Sequence, residues 1–274
     1  MILTMVQTGC TLETVKDDSP NKTVKGEVNN KKEATTEKEH SDKEVQPKQV
    51  ERVEEEVVIN TDLEPLYKLN EKNWTIEPIG SETNEKLILL TIDDAPDKFA
   101  LDMAHTLKRN DVKAIFFING HFLESDEKKK MVKAIFDLGF PIGNHTMTHS
   151  NLKELSKEDQ YKEIVELNDQ IEKITGERPK FFRAPFGSNT DYSKELATQE
   201  DMLLMNWTFG YDWEKEYMNK EELVNIMLNT PLLTNGANLL MHDREWTNAA
   251  LEEIIKGLKQ KDYEIVDPAR IRQL

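Results

Sequence analysis

From residue 86 onwards, apolar residues occur in short continuous runs. The two clearest runs are 86–92 and 113–118, each apolar almost throughout between polar flanks. Such a run predicts a β-strand buried on both faces, because a strand with one solvated face would alternate apolar and polar residues. Further strands are predicted at 140–143, 180–183, 202–207, 237–241 and 263–266.

The segments between these runs have the apolar spacing of α-helices. The clearest helix begins after Ser156, which with Asp159 three residues later is typical of a capped helix start, and it ends at Gly176. The apolar residues at helical spacing within it are Tyr161, Ile164, Leu167, Ile171 and Ile174. Other helices are predicted at 97–109, 127–138, 192–199, 220–229 and 247–260.

This alternation of strands and helices predicts the fold class. Strands separated by helices over residues 86–266 indicate an α/β protein with a parallel sheet and helices outside it. About seven to eight units fit a distorted or incomplete (β/α) barrel, in which chemistry lies at the carboxyl ends of the strands. Candidate polar residues at or just past such ends are Asp93, Asp94, His145, His149, Arg183, Asp212 and His242.

The first 60 residues differ from the rest in composition. Residues 13–58 contain no aromatic residue and are dominated by charged and polar residues. They bury too little apolar surface to offset the entropy of ordering them, which favours a disordered linker over a charged solvated helix at 30–56. The predicted organisation is a signal remnant at 1–10, a linker at 11–60, a lead-in at 61–85 and a catalytic domain at 86–274.

Charge and cysteine content exclude some classes of protein. A net charge of −16 and a pI near 4.9 argue against a nucleic-acid binder, which would present a basic face. Cys10, the only cysteine, follows Gly9 at the end of a short apolar segment and resembles the lipidated cysteine of a bacterial lipoprotein. We therefore expect a lipid anchor and a location at the outer face of the membrane or in the cell wall. The alternative is an ordinary free cysteine.

Two motifs carry the candidate chemistry. Asp93 and Asp94 end a predicted buried strand, and His145 and His149 lie four residues apart in a chain with only six histidines. Two imidazoles and one carboxylate suffice to hold a divalent ion, and the second carboxylate can then act as a base towards water. One of the aspartates could instead cap the next helix, but Asp97 is better placed for that. The pattern predicts a metal-dependent hydrolase.

Four further residues complete the candidate site. Arg183 leaves an apolar strand and needs an anionic partner, either the base aspartate or a loop carboxylate. His242 lies at a strand end where a general acid would act, and Asp212 could raise its pKa. Trp213 could line a sugar or acetyl pocket. No G-x-S-x-G or G-x-G-x-x-G motif is present.

Five short motifs in order make the chain similar to a known family. TIDDAP, HTMTH, RAPFG, YDW and LLMHD resemble the motifs of the polysaccharide deacetylases, carbohydrate esterase family 4 with the NodB-homology domain. The resemblance covers about residues 86–266. It implies a distorted (β/α) barrel that hydrolyses acetyl groups on glycans with zinc or a similar divalent ion, such as cobalt.

The resemblance also implies a role for each residue. Asp93 would be the base, and Asp94, His145 and His149 the metal ligands. His242 would be the acid, tuned by Asp212, and Arg183 would orient Asp93. The pocket for the acetyl group and its oxyanion would be formed by Pro185, Phe186 through its backbone N–H, Trp213 and Leu240.

Several functions remain open at this stage. The first is a Gram-positive cell-envelope enzyme that removes N-acetyl groups from the N-acetylglucosamine of peptidoglycan. The second is action on chitin oligomers or acetylated xylan. The third is a degenerate, weakly active or glycan-binding protein, because Ala95 replaces the glycine usual in the first motif and would be strained if that position required positive φ.

Overall fold

The computed structural model describes residues 64–81 and 84–274, which belong to one compact unit. The predicted signal remnant at 1–10, including Cys10, and the predicted linker at 11–60 lie outside the described residues and stay predictions. The described part of the lead-in contains an antiparallel hairpin of β1 (Tyr67–Leu69) and β2 (Ile76–Pro78).

The central sheet of the described residues has seven parallel strands. They are β3 (Leu87–Ala95), β4 (Ile115–Ile118), β5 (Ile142–Asn144), β6 (Phe181–Phe182), β7 (Leu203–Leu204), β8 (Ala237–His242) and β9 (Glu264–Ile265). Their order is β7-β6-β5-β4-β3-β8, with β9 also paired to β3. β7 and β8 lie at the two ends of this path and do not pair with each other within the described residues. A single bridge joins Leu239 of β8 to Phe209, which lies after β7, so the barrel is incomplete. The predicted fold class is confirmed.

A helix is present in every segment where the spacing predicted one. The helices are α1 (Ala100–Arg109), α2 (Asp126–Asp137), α3 (Lys157–Tyr161), α4 (Leu167–Thr175), α5 (Asp191–Gln199), α6 (Lys220–Asn229) and α7 (Glu245–Gln260). A π-helical turn, Lys162–Glu166, joins α3 to α4, so the predicted single helix is not uniform. Among these helices, none combines the length and apolar content that a membrane crossing requires.

The helix ends match the sequence in one case and differ in another. Ser156 caps α3 by accepting a hydrogen bond from the Asp159 N–H at 3.1 Å, and Gly176 ends α4 with φ of 93°. The prediction that Asp97 caps the next helix was wrong. Asp243, the residue after β8, accepts hydrogen bonds from the N–H groups of Lys98 and Phe99 instead.

Strand β3 contributes to two hydrophobic cores, which explains its unbroken apolar run. Leu87 and Leu89 join a core that includes Phe117, Phe181 and Met205, whereas Ile88, Leu90 and Ile92 pack among helix residues such as Met103 and Leu251. Successive side chains point to opposite faces of the strand, so Thr91 and Asp93 continue the inner row of Leu87 and Leu89. The inner face thus becomes polar at the carboxyl end of β3.

Candidate active site

A cleft of about 500 Å³ opens at the carboxyl ends of β3 and β8. It gathers most of the residues that the sequence singled out from five separate motifs. Its lining residues are Asp93, Asp94, His145, His149, Phe186, Trp207, Asp212, Trp213, Met218, Leu240, His242, Arg244 and Trp246.

The end of β3 turns two consecutive carboxylates towards this cleft. The register between β3 and β4 shifts between Ile92 and Ala95, and Asp94 adopts φ of 58°. The left-handed conformation interrupts the alternation that would otherwise send neighbouring side chains to opposite faces. Asp93 and Asp94 therefore both reach the cleft, and both are buried.

The segment 145–149, here named the metal loop, follows β5 and brings two histidines to Asp94. His149 Nε2 lies 3.4 Å and His145 Nε2 3.8 Å from Asp94 Oδ1. One ligand atom from each of the three residues falls within 4.8 Å of the others. Asp94 Oδ1 is buried and has no hydrogen-bond partner within the described residues. A buried, unbonded carboxylate oxygen between two imidazole nitrogens fits a divalent cation.

The hydrogen bonding of His145 and the lowered pKa of His149 suit a metal site. His145 Nδ1 lies 2.7 Å from the carbonyl oxygen of Arg183, which can only accept, so Nδ1 carries a proton and Nε2 is the nitrogen on the side of Asp94. Burial and the neighbouring His145 lower the pKa of His149, which favours its neutral form. Burial opposes ionisation of Asp94, but the nearby histidines and Arg244 outweigh it and lower the pKa of this carboxyl.

Arg183 is fully buried beneath the cleft and bonds to the other aspartate. Its Nη1 donates to Asp93 Oδ1 and to Thr91 Oγ1, both at 2.8 Å, and its guanidinium lies 4.4 Å from the centre of the Phe117 ring. The sequence left open two partners for Arg183, the base aspartate or a loop carboxylate. In the structure the partner is the aspartate. Asp93 Oδ2 remains on the side of the metal loop, 3.5 Å from His145 Nε2.

His242 and Asp212 form a closed hydrogen-bonded pair across the cleft. Asp212 Oδ1 lies 2.7 Å from His242 Nδ1, and Asp212 Oδ2 accepts from the His242 N–H at 2.6 Å. The Thr247 hydroxyl donates to the same Oδ2, and the Trp246 indole donates to the Asp212 carbonyl, each at 2.7 Å. Burial alone would lower the pKa of His242, but the negative charge of Asp212, with smaller contributions from Asp93 and Asp94, raises it above its usual value.

The residues predicted to line the acetyl pocket divide into two groups. Leu240, Trp213 and Phe186 line the cleft; Trp213 packs edge-on against His242, and Phe186 packs edge-on against His149. Phe186 has φ of 59°, and its N–H has no acceptor within the described residues. Pro185, by contrast, is buried and is not among the residues that line the cleft.

Sequence reasoning missed several residues that line the cleft or lie beneath it. Arg244 donates from Nη2 to Asp94 Oδ2 at 2.7 Å, opposite the unbonded Oδ1, and its position two residues after His242 was the available signal. Thr91, a partner of Arg183, precedes Asp93 by two residues on the same strand face, so period-two alternation could have found it. Trp207, Met218 and Trp246 come from segments for which the sequence offered no chemical signal.

The structure removes the conformational concern about Ala95. The residue of the DDAP motif with positive φ is Asp94, and Ala95 is not among the positive-φ residues of the described chain. Ala95 is fully buried at the end of β3, where its carbonyl accepts from the Asn119 N–H at 2.9 Å. Alanine fits this backbone without the expected rearrangement.

The sequence matches known proteins over the region that forms this cleft. A family model described as polysaccharide deacetylase matches residues 80–204. A peptidoglycan-N-acetylglucosamine deacetylase of Bacillus cereus is 30% identical over 191 residues, which cover 67% of each chain. The peptidoglycan-N-acetylmuramic acid deacetylase PdaC of Bacillus subtilis is 32% identical over 74% of this chain. The match covers 41% of PdaC, so the chain spans about two fifths of that relative.

Solved structures agree with the sequence matches. A structure of PdaC from Bacillus subtilis superimposes with a TM-score of 0.60 at 31% identity, over 68% of this chain and 90% of that one. A CE4 family pseudoenzyme from Bacillus anthracis has the same TM-score at 31% identity, over 66% of this chain and 63% of that one. The fold is thus shared by an enzyme and by a protein described as a pseudoenzyme.

Proposed function

Because the chain belongs to the polysaccharide deacetylase family, we propose that it removes N-acetyl groups from peptidoglycan with the help of a divalent metal ion. Membership places it among hydrolases of carbon–nitrogen bonds other than peptide bonds, the enzyme class that the sequence predicted. The observation that carries the proposal is the unbonded Asp94 Oδ1, which lies between two histidine nitrogens in the cleft that also holds Asp93 and His242.

Asp94, His145 and His149 would hold the metal. Two imidazoles and a carboxylate favour zinc, and cobalt is accepted by the same donor set. When bound there, the ion would make water more acidic and polarise the acetyl oxygen. Arg244 would keep Asp94 Oδ2 engaged, so that Oδ1 faces the two histidines.

Asp93 would act as the general base. Arg183 engages Asp93 Oδ1 and fixes the orientation of the carboxylate, which leaves Oδ2 to accept a proton from the attacking water. As the water oxygen bonds to the acetyl carbon, negative charge develops on the acetyl oxygen. The unbonded Phe186 N–H would donate to this oxygen.

His242 would act as the general acid. Asp212 occupies His242 Nδ1, so Nε2 is the nitrogen that can donate a proton to the sugar nitrogen as the carbon–nitrogen bond breaks. The raised pKa of His242 keeps the ring protonated at a higher pH than an ordinary histidine. The products are acetate and a free amine on the sugar, and Trp213 and Leu240 would enclose the acetyl methyl group.

Peptidoglycan is proposed as the substrate because the curated relatives act on it. One relative is described as acting on N-acetylglucosamine and another on N-acetylmuramic acid, and we propose N-acetylglucosamine for this chain. We also propose that the protein works in the cell envelope, where this substrate lies. An anchor on Cys10 remains a prediction, and Cys10→Ser should release the protein from membranes; equal membrane association of the variant would contradict it.

A substrate panel tests this proposal. The purified full chain, supplied with zinc, is incubated with peptidoglycan, N-acetylglucosamine oligomers and acetylated xylan, beside Asp93→Asn as the control. Acetate release is measured, and muramidase fragments are weighed by mass spectrometry to show which sugar lost the acetyl group. We expect release from peptidoglycan at glucosamine and none with Asp93→Asn. No release from any of these glycans by folded, zinc-supplied protein would contradict the proposal.

A further inference from the structure

The helical segment behind the metal loop carries the π turn Lys162–Glu166. Such turns are rare and occur frequently at functional sites. Here, groups of the turn form hydrogen bonds to the segment that includes both histidines of the candidate metal site.

Both carboxylate oxygens of Glu163, in the π turn, accept hydrogen bonds from one residue of the metal loop. Its Oε2 accepts from the Thr148 N–H at 2.8 Å, and its Oε1 accepts from the Thr148 hydroxyl at 2.5 Å. Thr148 directly precedes His149. Glu163 is buried, and no salt bridge to it is found within the part of the chain that the structure describes.

Carbonyl groups of the same turn hold the rest of this segment. The Glu163 carbonyl accepts from the Met147 N–H at 2.9 Å, and the Ile164 carbonyl accepts from Asn144 Nδ2 at 2.8 Å. Together with the Thr148 contacts, these bonds fix Asn144, which precedes His145, and Met147 and Thr148, which precede His149.

The metal loop needs such external support. Thr146 has φ of 68° and His149 has φ of 60°, conformations that residues other than glycine rarely adopt. Strained residues persist only where the surroundings determine their conformation. A buried carboxylate without a cation is itself costly. The Glu163 carboxylate therefore contributes little to stability on its own. Its two hydrogen bonds to Thr148, however, set the path of the chain into His149.

We propose that Glu163 is a positioning residue for the metal site. By holding Thr148, it keeps His149 in its left-handed conformation with Nε2 3.4 Å from Asp94 Oδ1. This inference rests on the proposed function, since it assumes that Asp94, His145 and His149 bind a divalent ion. It adds that the binding geometry is set by a residue outside all five sequence motifs.

The test compares Glu163→Gln with Glu166→Gln in the full chain. Glu166 belongs to the same π turn but is exposed, so it is the matched control. Zinc affinity is measured by competition with a chelator, the visible absorption spectrum is recorded on the cobalt-loaded protein, and Tm is followed without metal. Glu163→Gln should raise the zinc Kd about 10- to 100-fold and change the cobalt spectrum. Glu166→Gln should match the wild type in both.

A second pair of variants keeps the test decisive if Glu163→Gln fails to fold. Thr148 is exposed, so Thr148→Ala removes one of the two bonds to Glu163 without disturbing a core. Thr148→Ala should weaken zinc binding, and Thr148→Ser, which keeps the hydroxyl, should restore it. A purely structural role would lower Tm while leaving the zinc Kd and the cobalt spectrum unchanged.

The outcomes separate this inference from the proposed function. If the wild type binds zinc and folded Glu163→Gln binds it with the same Kd and cobalt spectrum, the positioning role is wrong and the proposed metal site stands. If the wild type itself binds neither zinc nor cobalt, the positioning role of Glu163 and the proposed metal site are both wrong.

Discussion

The two sides of the cleft differ in how their polar groups are satisfied. On one side, Asp212 and His242 are joined by a 2.7 Å hydrogen bond, and Thr247 and Trp246 complete the set. On the other side, Asp94 Oδ1 has no hydrogen-bond partner among the described residues, although two imidazoles lie within 3.8 Å of it.

Backbone conformation follows the same division. His242 is the last residue of the regular strand β8, whereas Asp94 and His149 have φ near 60°. The Asp212–His242 pair has its hydrogen bonds satisfied within the protein and is complete without a ligand. Strained residues around an unbonded carboxylate oxygen indicate a site that is completed by a bound cation. The comparison therefore separates a proposed metal half (Asp94, His145 and His149) from a proposed acid half (Asp212 and His242).

The largest expected effect comes from Asp94→Asn. Zinc at 100 times its Kd should stabilise the wild type by about 2.7 kcal/mol, a rise in Tm of roughly 5–11 °C. Asp94→Asn should lose both this rise and all acetate release, because the amide lacks the charge that a cation needs. Asp212→Asn, in the acid half, should keep the zinc-dependent rise in Tm measured by calorimetry. A rise in Asp94→Asn equal to that of the wild type would contradict the division.

Asp93→Asn should separate chemistry from metal binding. Loss of the proposed base should lower kcat for acetate release about 10²–10⁴-fold. The variant should still show the zinc-dependent rise in Tm, since Asp93 is not among the proposed metal ligands. The control is Asp102→Asn on the exposed side of α1, which should match the wild type in both measurements. Near-normal turnover by Asp93→Asn would rule out its role as the base.

The pH dependence of kcat tests the acid half. His242 must be protonated to donate, so activity falls as pH rises through its pKa, which Asp212 raises. Asp212→Asn removes that negative charge and should move the alkaline limb of the profile to lower pH at saturating zinc. Asp97→Asn is the control, because the ion pair of Asp97, at 3.6 Å, is with Arg244 rather than with His242. An alkaline limb that stays in place in Asp212→Asn would show that Asp212 does not set the pKa of the general acid.

The smallest effect is expected for Ala95→Gly. Because Ala95 is not a positive-φ residue, glycine relieves no strain there, and kcat should stay close to that of the wild type. The free energy of unfolding should fall by about 0.5–1 kcal/mol, the usual cost of glycine inside a strand. Acetate release and urea unfolding measure the two quantities. A large increase in kcat would instead support the hypothesis, raised by Ala95 in the sequence, that the protein is a degenerate, weakly active member of its family.

Much of this arrangement could be predicted from local sequence. The buried run of β3 placed Asp93 at a strand end, and the spacing of His145 and His149 indicated shared ligation. An arginine leaving an apolar strand indicated a buried anionic partner, and Arg183 does contact Asp93. Each of these inferences depends on residues close in sequence or on a single strong electrostatic requirement.

The features that were missed depend on contacts between distant segments. The π turn is stabilised by bonds to a loop about 15 residues earlier, as in the Glu163–Thr148 pair, and helical periodicity carries no signal for it. The exposed Tyr161, which the sequence grouped with the apolar residues at helical spacing, lies just before that turn. The cap of α1 comes from Asp243, more than 140 residues away, and so local reasoning chose Asp97. Arg244 contacts Asp94 only because β3 and β8 are neighbours.

Metal dependence of turnover is the most direct test of the central claim that the metal half needs a bound cation. The full-length wild type is treated with a chelator, dialysed and assayed for acetate release from peptidoglycan before and after addition of one equivalent of zinc, beside Asp94→Asn. The account predicts no release after chelation, recovery with zinc in the wild type, and no recovery in Asp94→Asn. Release at an undiminished rate from the chelated wild type would contradict it.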